Sequence, residues 1–338
     1  MMLGPWKAKK NLWGGYMKTK LKMLKNEVLY LLYSKIIFIF FVALMGVLLL
    51  NAYGTVHALK SAAKHFESTK QYYIKQGEDI EQVLKQDLNV KQEQDIGGGI
   101  VTYVDNPLRY DFEEVSRTLS QLRPKNLSIS ILEMLTFLFG PFIFGLLGIL
   151  LSTYDFRYKT VKVKSLKQSW RRNILIKQIV NVASVAVLVV GLFLVSRVLS
   201  EAIFAYAKST VSNVNQYPLP EDAVLQSSVF TKLLVSIFIG VLFSIIGFSF
   251  GLVFKSATPP MVILAVYNFF VPSLGKYDLK NLVSVTGHRF FEFNSDLFRL
   301  FQPVKVNSII AIGILLLIVA SLGFTNLVIA RKQSKYVV

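Results

Sequence analysis

The chain lacks cysteine altogether, has only three histidines, and sets 20 acidic residues against 38 Lys and Arg in 338 positions. Without cysteine there is neither a disulfide framework nor a thiolate metal site. His57 and His65 lie eight positions apart outside an H-E-x-x-H arrangement and His288 stands alone, so a zinc hydrolase lacks its ligands. No G-x-x-x-x-G-K-[ST] stretch occurs, which excludes a P-loop ATPase on this chain by itself. Internal repeats are not evident. Long apolar runs are present, but no ladder of Asp, Glu, Arg or His passes through them, which argues against an ion-coupled transporter or proton pump.

What the chain does have is hydrophobicity, 53% of residues, gathered into runs of roughly 17 to 24 positions. At 1.5 Å per helical residue such a run crosses about 30 Å of hydrocarbon. The fold class expected is an all-α polytopic membrane protein with six transmembrane helices, near 36–53, 131–151, 175–196, 233–254, 259–275 and 307–330. The fifth is the weakest, opening on Pro259-Pro260, containing Asn268 and ending near Pro272. A five-span reading would put the termini on opposite sides. The first run is no cleavable signal, since it begins about 35 residues in and is too long for an apolar signal core.

Charge then orients the chain. Segments 1–35, 152–177, 255–258 and 331–338 carry 20 Lys or Arg and two acids, Glu27 and Asp155. The remainder balances 18 bases with 18 acids, so the whole net charge of +18 falls on one side of a six-span arrangement. The positive-inside rule makes that side cytoplasmic, with both termini there. Anionic lipid headgroups account for the excess, and nucleic acid is not needed to explain it.

Within 1–35, Leu21, Leu24, Val28 and Leu31 recur at helical spacing with Lys18, Lys22 and Lys25 on other faces, as in an interfacial amphipathic helix. The alternative is an early start of the first span, and Met17 is a possible translation start. Segment 54–130 reads as a small, mostly helical extracytoplasmic insert. Val56, Leu59, Ala63, Phe66 and Tyr73 mark a long amphipathic helix weakened at Gly77; the glycines at 97–99 interrupt it, and "IVTYV" is a strand. Asp111 with Glu114 reads as a helix N-cap pairing, followed by Phe112, Val115, Leu119 and Leu122 on one face. Segment 131–330 holds five further spans, and 331–338 is a cytoplasmic tail. Between the last two spans Phe290, Phe291, Phe293, Phe298 and Phe301 read as an interfacial aromatic belt or a substrate-contacting lip.

The densest basic stretch is 154–173, "YDFRYKTVKVKSLKQSWRRN", with seven Lys or Arg and one acid between two apolar runs. Its charges fix topology; its interleaved Val161, Val163 and Leu166 could also present an apolar knob within a charged rim. With its flanks it resembles the segment of type-2 ABC exporter permeases in which an acid soon after the second span is followed by a Gly-Thr pair, a basic residue, an Arg and a Lys. Asp155, Thr160, Lys162, Arg171 and Lys177 match those places; Asp155 stands where Glu is usual, and Lys159 where Gly is usual. The resemblance covers about 30 residues closely. It implies a coupling segment, loop 152–174, that docks into a cleft on a separate ABC ATPase subunit, which would hold ATP and Mg. It also implies a homodimer or heterodimer with a second permease, and spans one, two and five rearranging around a path at the subunit interface.

Gly140, Gly145 and Gly148 in the second span, and Gly247 and Gly251 in "GFSFG" of the fourth, allow close helix packing, within the subunit or between subunits. Pro141 can kink the second span. Glu133, the only acid near a span interior, reads as a snorkelling interfacial carboxylate. "FEEVSR" superficially resembles a paired-glutamate intramembrane protease motif, but its Arg117 comes one residue early and it lies outside the spans. The leading expectation is a permease subunit exporting an amphipathic or apolar cargo such as a peptide, antibiotic or lipid. A mechanotransmitting ABC permease, an ATP-independent secondary transporter and a membrane enzyme are the alternatives.

Overall fold

The computed structural model describes residues 21–94, 100–167, 169–211, 216–218, 227–295 and 297–334. The Met17 start, the glycines at 97–99 and the tail beyond residue 334 lie outside the described residues. Among the described residues five helices are long and apolar enough to cross a membrane, so the chain is a multi-pass, mostly helical membrane protein. They are α2 (Ile36–Lys75), the continuous helix Pro124–Arg157, α8 (Trp170–Thr210), α9 (Val229–Phe254) and α12 (Ser308–Ser334).

In place of the span expected at 259–275 stands α10 (Thr258–Phe269), only 12 residues and about 18 Å long. Pro272 ends it. The residue before a proline is held out of the helical region, and an irregular stretch follows before α11 (Leu279–Phe290). Side chains fix how these pieces run. Trp170 Nε1 donates to Gln333 Oε1 and Gln333 Nε2 to Leu252 O, gathering the start of α8 and the ends of α9 and α12. Ser227 Oγ donates to Phe290 O, so the start of α9 meets the end of α11 at the opposite end. The chain therefore returns from one end of the bundle to the other between residues 255 and 290.

Two helices extend well past the expected spans. α2 does not stop near residue 53 but continues to Lys75, ending where Gly77 takes a positive φ of 77°. α8 continues to Thr210, about 60 Å in all. Against the extension of α2 packs the insert, consisting of α3 (Ile80–Lys85), the antiparallel hairpin β1 (Val90–Gln94) and β2 (Ile100–Val104), and α4 (Pro107–Gln121). Val115, Leu119 and Leu122 are buried, and Phe66, Phe112 and Tyr217 cluster at tilted and edge-on angles with centroids 5.1 to 5.7 Å apart. The cap of α4 differs from expectation. Asn106 accepts from Arg109 N, with Pro107 at the first turn where a missing N–H costs nothing. Asp111 instead accepts from Thr69 Oγ1 at 2.6 Å, pinning α4 to α2, and Glu114 pairs with Arg117.

Helix Pro124–Arg157 comprises α5 (Pro124–Glu133), a π-helical segment (Met134–Phe139) and α6 (Gly140–Arg157). Pro141 has no N–H to give the i−4 carbonyl, and Thr136 Oγ1 donates to Leu132 O at 2.6 Å; both favour widening the turn. Gly140 therefore serves this turn rather than a neighbouring helix, since a Cβ there would strike the Leu135 carbonyl. Among the described helices the α6–α9 contact is the most extensive. A Cβ at Gly148 would meet Ser244 O, one at Gly247 would meet Gly145 O, and one at Gly251 would meet Ser152 Oγ. Gly145 also receives the Leu264 side chain of α10.

Candidate functional site

The basic stretch folds into a short helix between two turns. α6 ends at Arg157, Tyr158 and Lys159 turn, and Thr160 N donates to Asp155 O at 3.0 Å. Lys159, standing where the resembled family has Gly, adopts φ 55°, the left-handed conformation that glycine takes at least cost. α7 (Val161–Lys167) follows, and α8 begins at Trp170, whose ring meets Phe156 edge-on.

Charge locks this helix down. Asp155 is fully buried at the end of α6, and its Oδ2 lies 2.7 Å from Lys177 Nζ of α8, itself buried. Its Oδ1 accepts from Thr160 Oγ1 at 2.8 Å and pairs with Lys164 Nζ of α7 at 3.1 Å. Lys164 Nζ reaches on to Glu27 Oε1 at 2.6 Å in α1, the helix over residues 21–33. Lys177 also donates to Leu151 O at 3.2 Å, and Tyr30 of α1 packs on Tyr154 with centroids 3.9 Å apart. Four elements thus meet on two carboxylates and two ammonium groups, which compensates the desolvation of each. Burial works against charge on Lys164, but Asp155 and Glu27 outweigh it and hold its pKa above the usual lysine value.

The pattern decides which side chains α7 offers outward. Val161 and Lys164, three apart, face the bundle; Val163 and Leu166, also three apart, face away, and Leu166 is 87% exposed. The expected apolar knob is therefore Val163 and Leu166, because Val161 packs on the core. Lys162 is exposed beside them. Arg171 is exposed on α8, outside the charge cluster, so the structure brings Asp155, Thr160 and Lys177 together but not Arg171. Glu27 and Lys164 belong to the cluster, and sequence reasoning gave them no such role: Glu27 was only one of two acids among the basic segments, and Lys164 one rim charge among several. The buried face of α1 is likewise rotated from that expected. Met23 and Leu31 are inside with Glu27 between them, while Leu21 and Val28 are exposed.

At the opposite end of the bundle lies a second buried ion pair, Lys232 of α9 with Glu292. Glu133 does not snorkel. It is 3% exposed and accepts from Phe293 N at 3.3 Å. Phe291 and Phe293 form no outward belt either; both are buried against Phe137, with centroids 5.2 and 5.3 Å away, and only Phe301 among the five is well exposed. Beside them opens a polar cavity of about 580 Å³, lined by Thr55, Ser130, Glu133 and His288 among others. Among the described residues no group of three or more His, Cys, Asp or Glu could hold a metal ion. Compared with known proteins, the chain matches no family model, no curated protein and no solved structure.

Proposed function

We propose that the chain is the membrane-spanning permease subunit of an ABC exporter, driven by a separate ATPase that binds α7. The observation that carries this reading is the construction of α7: a seven-residue helix, held by a buried charge cluster to α1, α6 and α8, with Val163 and Leu166 turned outward in a rim of lysines. A push on such a helix is delivered to three other elements at once. The basic end is cytoplasmic on this reading, following the positive-inside rule. α10 and α11 together form a sixth, broken crossing, consistent with the shared direction of α9 and α12. Irregular backbone at that depth requires protein or a water-filled cavity around it.

The test is purification of the tagged chain in mild detergent beside the double variant Val163→Asp, Leu166→Asp. An ATP-hydrolysing subunit should accompany the wild type and be lost from a variant with an unchanged melting temperature. If none accompanies the wild type under several gentle conditions, or if the variant retains it, α7 is not the coupling element.

A second reading, a permease that relays ATPase motion to an outside partner without moving cargo, has one observation in its favour. α2 runs unbroken from the turn after α1 to the insert, where Thr69 holds Asp111 of α4. Cargo accumulation in inverted vesicles that requires ATP would exclude it.

A further inference from the structure

Besides the polar cavity, a second one of about 440 Å³ opens between α6, α9, the α10–α11 turn and the segment around residue 300. Arg299 and Leu300 line both, so that segment forms a shared wall. The second cavity has the size and mixed character of a small-molecule site, with mostly apolar walls and few polar groups. Phe137, Phe243, Phe269 and Phe298 supply the apolar surface.

Its polar residues are Asn268, Ser273, Lys280 and Arg299. Lys280 Nζ, at the cavity wall, donates to Asn268 O at 3.1 Å and to Val271 O, capping the end of α10. An ammonium has three N–H donors, so one is left without an oxygen acceptor, and the Tyr267 ring lies 5.2 Å from Nζ. Lys164, Lys177 and Lys232 each have a carboxylate within ion-pair distance; half-buried Lys280 has none among the described residues. The nearest acid, Asp278, accepts from Tyr267 Oη at 3.1 Å and from Lys280 N rather than from the ammonium. Ser273 also lines the wall, with its own Oγ buried away from the open space. A cation without a carboxylate partner, set at one side of an aromatic chamber, calls for an anionic head on an apolar body.

We propose that this cavity binds an anionic amphiphile, with its carboxylate or phosphate at Lys280 and its apolar chain among Phe137, Phe243 and Phe269. As a ligand site it stands on the cavity alone; as the cargo site of an exporter it rests on the reading given above.

The test uses the full chain, purified in a neutral maltoside detergent with whatever subunits it retains, and a dansyl-labelled undecanoic acid with its methyl ester. The acid should bind at least about tenfold more tightly than the ester, the difference one charge-assisted hydrogen bond makes. Lys280→Gln should abolish that preference, and Lys280→Arg should keep it. Because glutamine also weakens the cap on α10, Ser273→Trp provides a second route, filling the cavity and expelling both probes. Equal binding of acid and ester by the wild type, or a preference that survives Lys280→Gln, overturns the proposal. Displacement by lysophosphatidate but not by millimolar inorganic phosphate identifies a membrane amphiphile as the source; displacement by inorganic phosphate alone overturns the amphiphile. Binding is read without ATP, so a charge-dependent site on a chain with no ATPase companion would leave this inference intact and remove only the exporter reading.

Discussion

The two ends of this bundle treat buried charge in opposite ways. At the basic end Asp155, Lys177, Lys164 and Glu27 close on one another, knitting α1, α6, α7 and α8 into one body. At the other end Lys232 and Glu292 pair beside Glu133, and next to them space opens, a polar cavity and an apolar one divided by Arg299 and Leu300. A closed cluster conveys displacement, because no member can move without leaving another charge bare in a low dielectric. Open cavities receive ligands.

The strongest way to break the comparison is Asp155→Asn, which leaves Lys177 buried with no carboxylate. Thermal unfolding in detergent should show a loss of about 3–5 kcal/mol, with part restored in the double variant Asp155→Asn, Lys177→Met. An isolated Asp155→Asn chain as stable as the wild type would mean that the cluster holds nothing together. Glu292→Gln at the opposite end should cost less, about 2 kcal/mol, since Glu133 still lies within the field of Lys232. Glu27→Gln removes only the outer, partly exposed bridge and leaves Lys164 its pairing with Asp155, so it should cost about 1 kcal/mol or less. Its pH dependence has a definite sign. The folded pKa of Lys164 is raised, so the bridge contributes fully below the ordinary lysine value of 10.5 and is lost as pH rises through the higher folded value. The gap in melting temperature between wild type and Glu27→Gln should stay level from pH 7 to about 9 and close only in strong alkali. Smallest of all, the Val163→Asp, Leu166→Asp variant should unfold within about 0.5 kcal/mol of the wild type, because both side chains already face solvent. A large loss there would show that α7 is packed from outside.

Sequence reading found most of the framework and less of the site. Four long spans and the start of the first were visible as apolar runs, because hydrocarbon thickness leaves a length signature. The amphipathic pattern up to Tyr73 was visible as a helix but not as one rod with the first span, and the extension of α8 to Thr210 was not visible, since its partners, such as Lys60 donating to Tyr206 Oη, come from far along the chain. The broken α10 was foreshadowed by Pro272, whose effect on the preceding residue is local and legible. Asp155, Thr160 and Lys177 were picked out through a family resemblance, whereas Glu27 meets Lys164 from 137 positions away, and no spacing rule connects such partners. The split of the knob, with Val161 inward and Val163 and Leu166 outward, depends on where α7 begins, which a seven-residue helix in a run of alternating Val and Lys does not declare. Lys280 went unremarked because it is one lysine among many until the cavity beside it is seen.

The π segment at Met134–Phe139 sets a matter of phase. A π turn takes up about one more residue than an α turn, so everything after it is rotated by about 100° relative to an unbroken helix. That rotation lets one continuous rod address two neighbours in succession: α5 packs chiefly on α8, and α6 presents Gly145 and Gly148 to α9. Length, and not only composition, is therefore constrained here. Removing one residue between Met134 and Phe139 would change no charge and little hydrophobicity, yet it would swing the glycine seam out of register with α9 and carry Asp155, at the far end of the same rod, away from Lys177.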